Sequence, residues 1–556
     1  MKKIITLSAF AALTTSSLLG ADVEAKLSEM ESKISKLEAQ LTEAKKTLTE
    51  VKMHDGNDNI KWDVDFRTSF DNITYTHASG KESKNPDLLM NRLQLGMGFA
   101  PDDNTLFKGK LSYNKTYGDT ANHSQSNSAM GVGFANFDWV TNENATDNTL
   151  KVKEAYWLYK DTIGTDVPYT ISIGRRPSTD GLGINLREGM KENSPLAHTV
   201  NVEFDGLSSK FDLDKVTGVK GMSWKLCTGR GMTNATPRFN MDIPGADYAA
   251  DNTKTKDINM YGFIFVPYDN GQYSVSTNWA RAEHMIGFTN TEMNNYGLTG
   301  YGVDSATYNQ WAASNSTTVA QLDGTVIDGY DGNGLDGMTS MNGFGAYTMG
   351  QQYKNDMTSQ TANMMMSAKM ANAPVFRDFG NLDLFTAMFK AEGVGEGISD
   401  YLDDTKLFVS WAQSKTNPTN GMKMLGSTDS QTGSSTWIGL NVPCVLTKDG
   451  RIGIEWNKGS KNWRSVTYGE DTMTGSKIAA RGTAIEAYYN KPINKALSFN
   501  LRYTKIKYDY TGSNGFFGSE GQPMSWDDVA LYTMGGMDAD PVKEATDLRA
   551  SISYRF

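Results

Sequence analysis

The residues best placed to do chemistry here are scattered cations, and the chemistry they suit is electrostatic sorting of ions. Arg92, Lys108, Lys110, Arg176, Arg502 and Arg549 share one side of stretches in which polar and apolar residues alternate, with Asp63, Asp65 and Glu455 as acidic counterweights. Successive side chains of a β-strand face opposite ways, so these residues are expected on a common polar wall. Lys151 and Lys153 are placed less firmly, because Glu154 and Trp157 interrupt the alternation of their stretch. The segment 176–199 adds Asp180, Arg187, Glu188, Lys191 and Glu192. Held opposite a basic wall, some of these charges would create a transverse field that sorts ions by sign; in a solvated loop they would do nothing. The basic excess on the wall implies a mild anion preference, although the whole chain carries a formal net charge of −10. That acidity argues against nucleic-acid binding.

Bond-making chemistry finds less support. His198 lies near Ser194, but no Gly-x-Ser-x-Gly elbow accompanies the pair, so no enzymatic activity is expected. There is no Cys-x-x-Cys-His, hence no covalently held c-type haem. Cys227 is expected near the outer end of a strand and Cys444 near a turn at the opposite end, a poor geometry for a disulfide. The acidic run Asp323 to Gly337 fails as an EF-hand, since a register starting at Asp331 puts Leu335 where an oxygen ligand belongs. A weak loop-bound cation stays open there. The methionines, Met364 to Met366 included, suit packing better than metal ligation, and no cofactor is expected.

The elements that must position the charged wall are strands. In the last ten residues Leu548, Ala550, Ile552, Tyr554 and Phe556 alternate with Asp547, Arg549, Ser551, Ser553 and Arg555, one face suited to lipid and the other to water. Trp62, Val64, Phe66 and Phe70 repeat the pattern, as do Leu93, Leu95, Met97 and Phe99. A mean hydropathy of −0.48, with no late run of about 18 apolar residues, excludes a helical membrane protein. A barrel passes that test, because its strands are apolar only at alternate positions. The expected class is therefore all-β, a transmembrane antiparallel β-barrel of about sixteen strands. They are read near 60–70, 92–99, 105–116, 149–160, 168–175, 200–213, 222–229, 257–266, 272–283, 359–370, 405–414, 435–443, 451–458, 477–490, 495–510 and 545–556. Short periplasmic turns fall at Pro101–Asn104, Pro267–Gly271, Thr447–Gly450 and Lys491–Asn494, and long outer loops between them. The segment 371–404 breaks this rhythm. Leu382 to Glu392 is read as a short periplasmic helix, because a single strand there would reverse everything after it; two hidden strands would make eighteen. The Gly/Asn/Ser-rich segment 284–358 is expected to form an outer cap or an in-folded plug.

The N-terminus has a different grammar. Lys2 and Lys3, the apolar run Ile4–Leu19 and the small residues Gly20 and Ala21 read as a signal peptide over 1–21. From Val23 to Val51 apolar residues step by alternating fours and threes, placing Leu27, Met30, Ile34, Leu37, Leu41 and Leu48 in the seam of a coiled coil over 22–53. Lys26 and Lys33 would face Glu31 and Glu38 of a parallel neighbour, so a homo-oligomer is expected. A single amphipathic helix lying on the barrel or in its lumen is the alternative. Residues 54–59 form a polar linker, and 60–556 the barrel.

Glu154-Ala155-Tyr156-Trp157-Leu158-Tyr159, Ser172-Ile173-Gly174-Arg175-Arg176, the run Gly453 to Ser460 and the closing Ser553-Tyr554-Arg555-Phe556 carry a family likeness. With them the chain resembles Gram-negative outer-membrane porins, and more closely a proteobacterial porin-like family of unknown function with signal peptide, coiled coil and barrel in that order. The resemblance implies passive diffusion of small hydrophilic solutes through a lumen narrowed by the third outer loop, in the cell outer membrane with its lipid, the coiled coil lying in the periplasm. It favours a trimer, and it makes Tyr554 and Phe556 part of the signal read by the barrel-assembly machinery. By strand count the third outer loop is Arg176 to Thr199, so the expected pore-lining set is Arg92, Lys108, Lys110, Arg176, Arg187, Glu188, Arg502 and Arg549. A structural or adhesive barrel with a loop-filled lumen and a periplasmic partner is the alternative. One consequence is testable at once: lysines at both Ile34 and Leu41 would bury like charges in the seam, costing about 3–5 kcal/mol of association. Cross-linked oligomers should disappear; unchanged cross-linking would place the helix against its own barrel.

Overall fold

A chain that alternates its polarity over sixteen stretches can satisfy all its backbone groups by closing the sheet on itself, which leaves no edge. That is what the computed structural model contains. It describes residues 60–118, 149–194, 196–233, 256–289, 377–394, 397–419, 421–467, 473–513, 515, 517–518, 521–534 and 540–556, with isolated pairs between 238 and 327. The sixteen long strands are β1 Lys61–His77, β2 Glu82–Phe99, β3 Thr105–Thr116, β4 Leu150–Ile163, β5 Val167–Arg175, β6 Asp205–Asp212, β7 Ser223–Met232 and β8 Ile258–Asp269, then β9 Tyr273–Phe288, β10 Arg377–Glu392, β11 Lys406–Pro418, β12 Thr432–Pro443, β13 Arg451–Gly459, β14 Gly482–Pro492, β15 Leu497–Tyr508 and β16 Val542–Arg555. Each pairs with the next, and β16 returns antiparallel to β1 with Asp65 opposite Arg555 and Thr74 opposite Thr546. Val64 and Phe556 exchange both backbone hydrogen bonds at 3.0 Å, which seats the terminal aromatic in the seam. The chain divides into two compact units. Trp62–Gly98 with Asn104–Phe556 makes up the barrel wall and its loops; the other unit is described only at residues 60, 61 and 99–103, the last of these a bend.

The wall inverts the polarity of a water-soluble protein. Ile438, Ile454, Ile485, Leu501, Leu548 and Ile552 are exposed on its outside, while Asn441, Glu455, Glu486, Arg502, Thr504 and Arg549 are buried on its inside. Aromatic pairs reinforce the outer face: Trp224 with Phe263 at 5.2 Å, Phe263 with Trp279 at 6.1 Å, and Phe385 with Trp411 at 6.1 Å. The core lies within the barrel. Inward residues of β8 to β10, among them Met260, Ala282, Leu382 and Leu384, pack with Val202, Val466 and Phe517 from three loops.

Several expectations need correction. Leu382 to Glu392 is not a helix but the greater part of β10, in register with β9 and β11. Leu382, Leu384, Thr386 and Met388 are buried inside, and the intervening Asp383, Phe385, Ala387 and Phe389 face out. The strand expected at 359–370 lies outside the described residues, and the sixteen described strands close without it, so eighteen are not required. Residues 200–204 belong to a loop, where Val200–Asn201 pairs in parallel with Val466–Thr467. Residues 477–481 likewise precede their strand. The broken alternation near Lys153 is a β-bulge: Lys110 opposes Glu154 and Leu111 opposes Val152, so Lys153 is an extra residue and both Lys153 and Glu154 are buried. The signal peptide, the seam residues from Leu27 to Leu48, the run Asp323 to Gly337 apart from Val326–Ile327, Met364 to Met366 and nearly all of 284–358 also lie outside the described residues.

Phe385 tests the reassigned strand. Its outward position between Trp279 and Gln413 means that Phe385→Arg should destabilise the membrane-embedded barrel by roughly 2–4 kcal/mol if it lies at midplane, measured by denaturant unfolding in lipid. No loss of stability would contradict the outward placement.

Candidate functional site

The third outer connection by strand count, between β5 and β6, runs into the barrel. It turns at Asp180 (φ 55°) and Gly183 (φ 101°), forms the five-residue helix α1 Ile184–Glu188, and ends that helix on the left-handed Gly189 (φ 63°), whose N–H caps Asn185 and Leu186 carbonyls. A side chain at Gly183 would collide with the Trp437 indole of β12, so only glycine lets α1 approach that wall. Ile184 is fully buried and packs with Leu182, Leu196, Met388, Phe408 and Trp437. Further along the loop, His198 Nδ1 lies 2.8 Å from Ser410 Oγ and Nε2 lies 3.0 Å from Ser435 Oγ, between the rings of Trp437 and Trp463. Burial pushes its pKa down to about 3, so the ring is neutral and bridges two hydroxyls as donor on one side and acceptor on the other.

The opposite face of α1 is charged. Glu188 Oε1 lies 3.3 Å from Arg67 Nη1 and 3.6 Å from Arg502 Nη1, and its Oε2 lies 3.5 Å from Arg555 Nη2. Arg187 points to Glu486 at 3.8 Å. Asn490 and Asn500 donate to the Leu186 and Arg187 carbonyls at 3.2 and 2.8 Å. From the loop between β13 and β14, Lys477 reaches Glu455 at 2.6 Å and Glu486 at 2.5 Å. Arg549 pairs with Asp71 at 2.5 Å. The result is a buried network with acids and bases in near balance, spanning β1, β13 to β16 and two inserted loops.

The expected wall residues are distributed as follows. Arg187, Glu188, Arg502 and Arg549 meet in this network. Arg92 pairs with Asp65 at 3.2 Å and Lys110 with Glu154 at 2.9 Å. Lys108 is exposed and makes no ion pair among the described residues. Arg176 stands apart, its Nη1 donating to Ser208 and its guanidinium 5.8 Å from the Tyr156 ring centre. Sequence reasoning missed Arg67, Lys477 and Glu486. Arg67 and Glu486 sit at inward parity and were findable; Lys477 was hidden by its reading as strand. Beside the inserted loop lies a cavity of about 510 Å³ lined by Asp63, Asp65 and Asp180 and by Lys110, Lys191, Lys495 and Arg555, among others.

Removing one partner from a buried ion pair costs about 3–5 kcal/mol, because the other charge stays uncompensated. Glu188→Ala should therefore unseat α1. Amide hydrogen exchange over residues 184–200 should accelerate while the strands stay protected; unchanged exchange would mean that the apolar face of the loop holds it alone.

No curated protein matches the chain. Similar solved structures include an anion-selective porin from Comamonas acidovorans, 10% identical, covering 90% of this chain and 99% of that one at a TM-score of 0.40. Salmonella typhi OmpF, in complex with daunomycin, is 12% identical over 90% and 99% of the two chains at 0.41. Pseudomonas putida OprB is 11% identical over 91% and 96% at 0.41. The closed barrel itself is read from the chain's own strand pairing. In sequence, residues 82–556 match a family described as protein of unknown function (DUF3373), and the chain belongs to that family.

Proposed function

We propose that the chain is an outer-membrane porin through which small hydrophilic solutes diffuse passively. The observation that carries this reading is the third outer loop, fastened inside the barrel by both an apolar and a charged face, with the charged cavity of about 510 Å³ beside it. A loop fixed in that way narrows a lumen to a defined passage instead of lying over it as a lid. The apolar outer wall would face lipid, with the short turns and the coiled coil over 22–53 in the periplasm after removal of 1–21. Tyr554 and Phe556 would belong to the signal for the barrel-assembly machinery, and a homotrimer is the assembly we favour.

The selectivity we infer is a mild anion preference. Most wall arginines contribute little to it, since a paired charge largely cancels its partner's field. The contribution comes from Lys191 and Lys495, which face the cavity and make no ion pair among the described residues, and from exposed Lys108. A specific observation favours a second reading, a structural barrel with a filled lumen: Arg67, Lys477, Arg502 and Arg549 are all almost wholly buried.

Bilayer recording separates the two. Open channels with a reversal potential favouring anions are expected, and Lys191→Glu with Lys495→Glu should move that potential toward cations, more at low salt than at 0.1 M, where screening acts over about 10 Å. Absence of conductance from correctly folded chains would establish the filled barrel; an unshifted potential in an open channel would remove the anion preference.

A further inference from the structure

A second cavity, of about 80 Å³, lies between the inserted loop and the inner wall of β6 to β9. It is walled mainly by apolar groups, with two cations facing it: Arg176 from the start of the loop and Lys225 from β7. Neither has a carboxylate within ion-pair distance among the described residues, in contrast to the cations of the central network. Arg176 donates through Nη1 to Ser208, and its Nε is buried without an acceptor. Glu154, an acid near Arg176, is engaged by Lys110 at 2.9 Å, and neighbouring Lys210 is held by Asp212 at 2.7 Å. Lys225 makes no hydrogen bond or ion pair with any described residue. Both lining serines are committed elsewhere, Ser178 donating to the Val202 carbonyl and Ser194 to the Leu196 carbonyl at 3.1 Å.

Two cations brought together with reduced hydration repel each other, and an anion between them offsets both costs. The lining decides which anion. Phosphate or sulfate needs a donor on every oxygen, and the cavity supplies few beyond the two cations. An apolar wall with a small number of placed polar groups fits a ligand that has an apolar body and a single charged end. We propose that this cavity binds a small organic monocarboxylate, its carboxylate held by Arg176 and Lys225 and its body against Leu196, Phe204, Met260 and Ile264. Phe204 is fixed there because its ring takes the space a side chain at Gly229 would fill. The site goes beyond the porin reading and does not depend on it: binding requires no conduction, and a conducting barrel could lack the site.

Cys227, two positions along β7, also lines the cavity and serves as a reporter in a Cys444→Ser background, where it is the sole cysteine. The full chain, purified in detergent and verified as folded by heat-modifiable migration, would be titrated calorimetrically with propionate, phosphate and chloride. Saturable binding of one propionate per chain is expected, with phosphate and chloride weaker by about tenfold or more. Lys225→Met should weaken propionate by at least about tenfold, while Lys225→Arg retains it. Propionate should also slow modification of Cys227 by an anionic methanethiosulfonate. Absence of saturable propionate binding, equal affinity for phosphate, or full affinity in folded Lys225→Met would each overturn the proposal.

Discussion

Glu188 ends a five-residue helix inside the barrel and meets guanidinium groups from β1, β15 and β16 there. The need for that meeting follows from the wall. Strands that turn isoleucine, leucine and tryptophan toward the outside must carry their polar residues inside, and those include Arg67, Glu486, Arg502 and Arg549. Buried charge without a partner is costly, so the interior needs counter-charges delivered from elsewhere. Glu188 and Arg187 arrive on one loop and Lys477 on another, and the geometry of the lumen is set by where they bind.

The loop is held in two chemically different ways. On the side of β9 to β12 it buries Ile184 and Leu196 against Met388, Phe408 and Trp437, with His198 bridging two serines. On the side of β1 and β14 to β16 it relies on ions and asparagine-to-carbonyl bonds. Apolar burial supplies net stability, whereas a buried ion pair gives little beyond offsetting its own desolvation but is specific in position. The first face accounts for why the loop enters the barrel; the second accounts for why it stops where it does. Cations left outside this balance stand out for that reason. Those at the larger cavity would act on passing ions, and Arg176 with Lys225 would act on a bound one.

Much of this was legible in the chain. The dyad of Asp547–Phe556 specifies a strand with one wet and one apolar face, and the same rule put Arg92, Arg502 and Arg549 inside. Counting strands identified the third outer loop with its Arg187 and Glu188. The rule failed at Leu382–Glu392 for a physical reason. Leu382 and Leu384 face inward yet are apolar, because Val202, Val466 and Phe517 from distant loops cover them. With Phe385 and Phe389 on the other side, both faces are apolar and the period-two signal fades into one that suits a helix.

Sequence by itself determined the properties that repeat along a strand: its period, its parity, the polarity of each face and the position of most short turns. Those are local, since each side chain's direction is fixed by its immediate backbone. What only the tertiary structure decided is which charges cancel. His198 meets Ser410 and Ser435 across 212 and 237 positions of chain, and Arg67 meets Glu188 across 121. Such partners are brought together by closure of the sheet and by the seating of a loop within it, and neither leaves a period in the sequence.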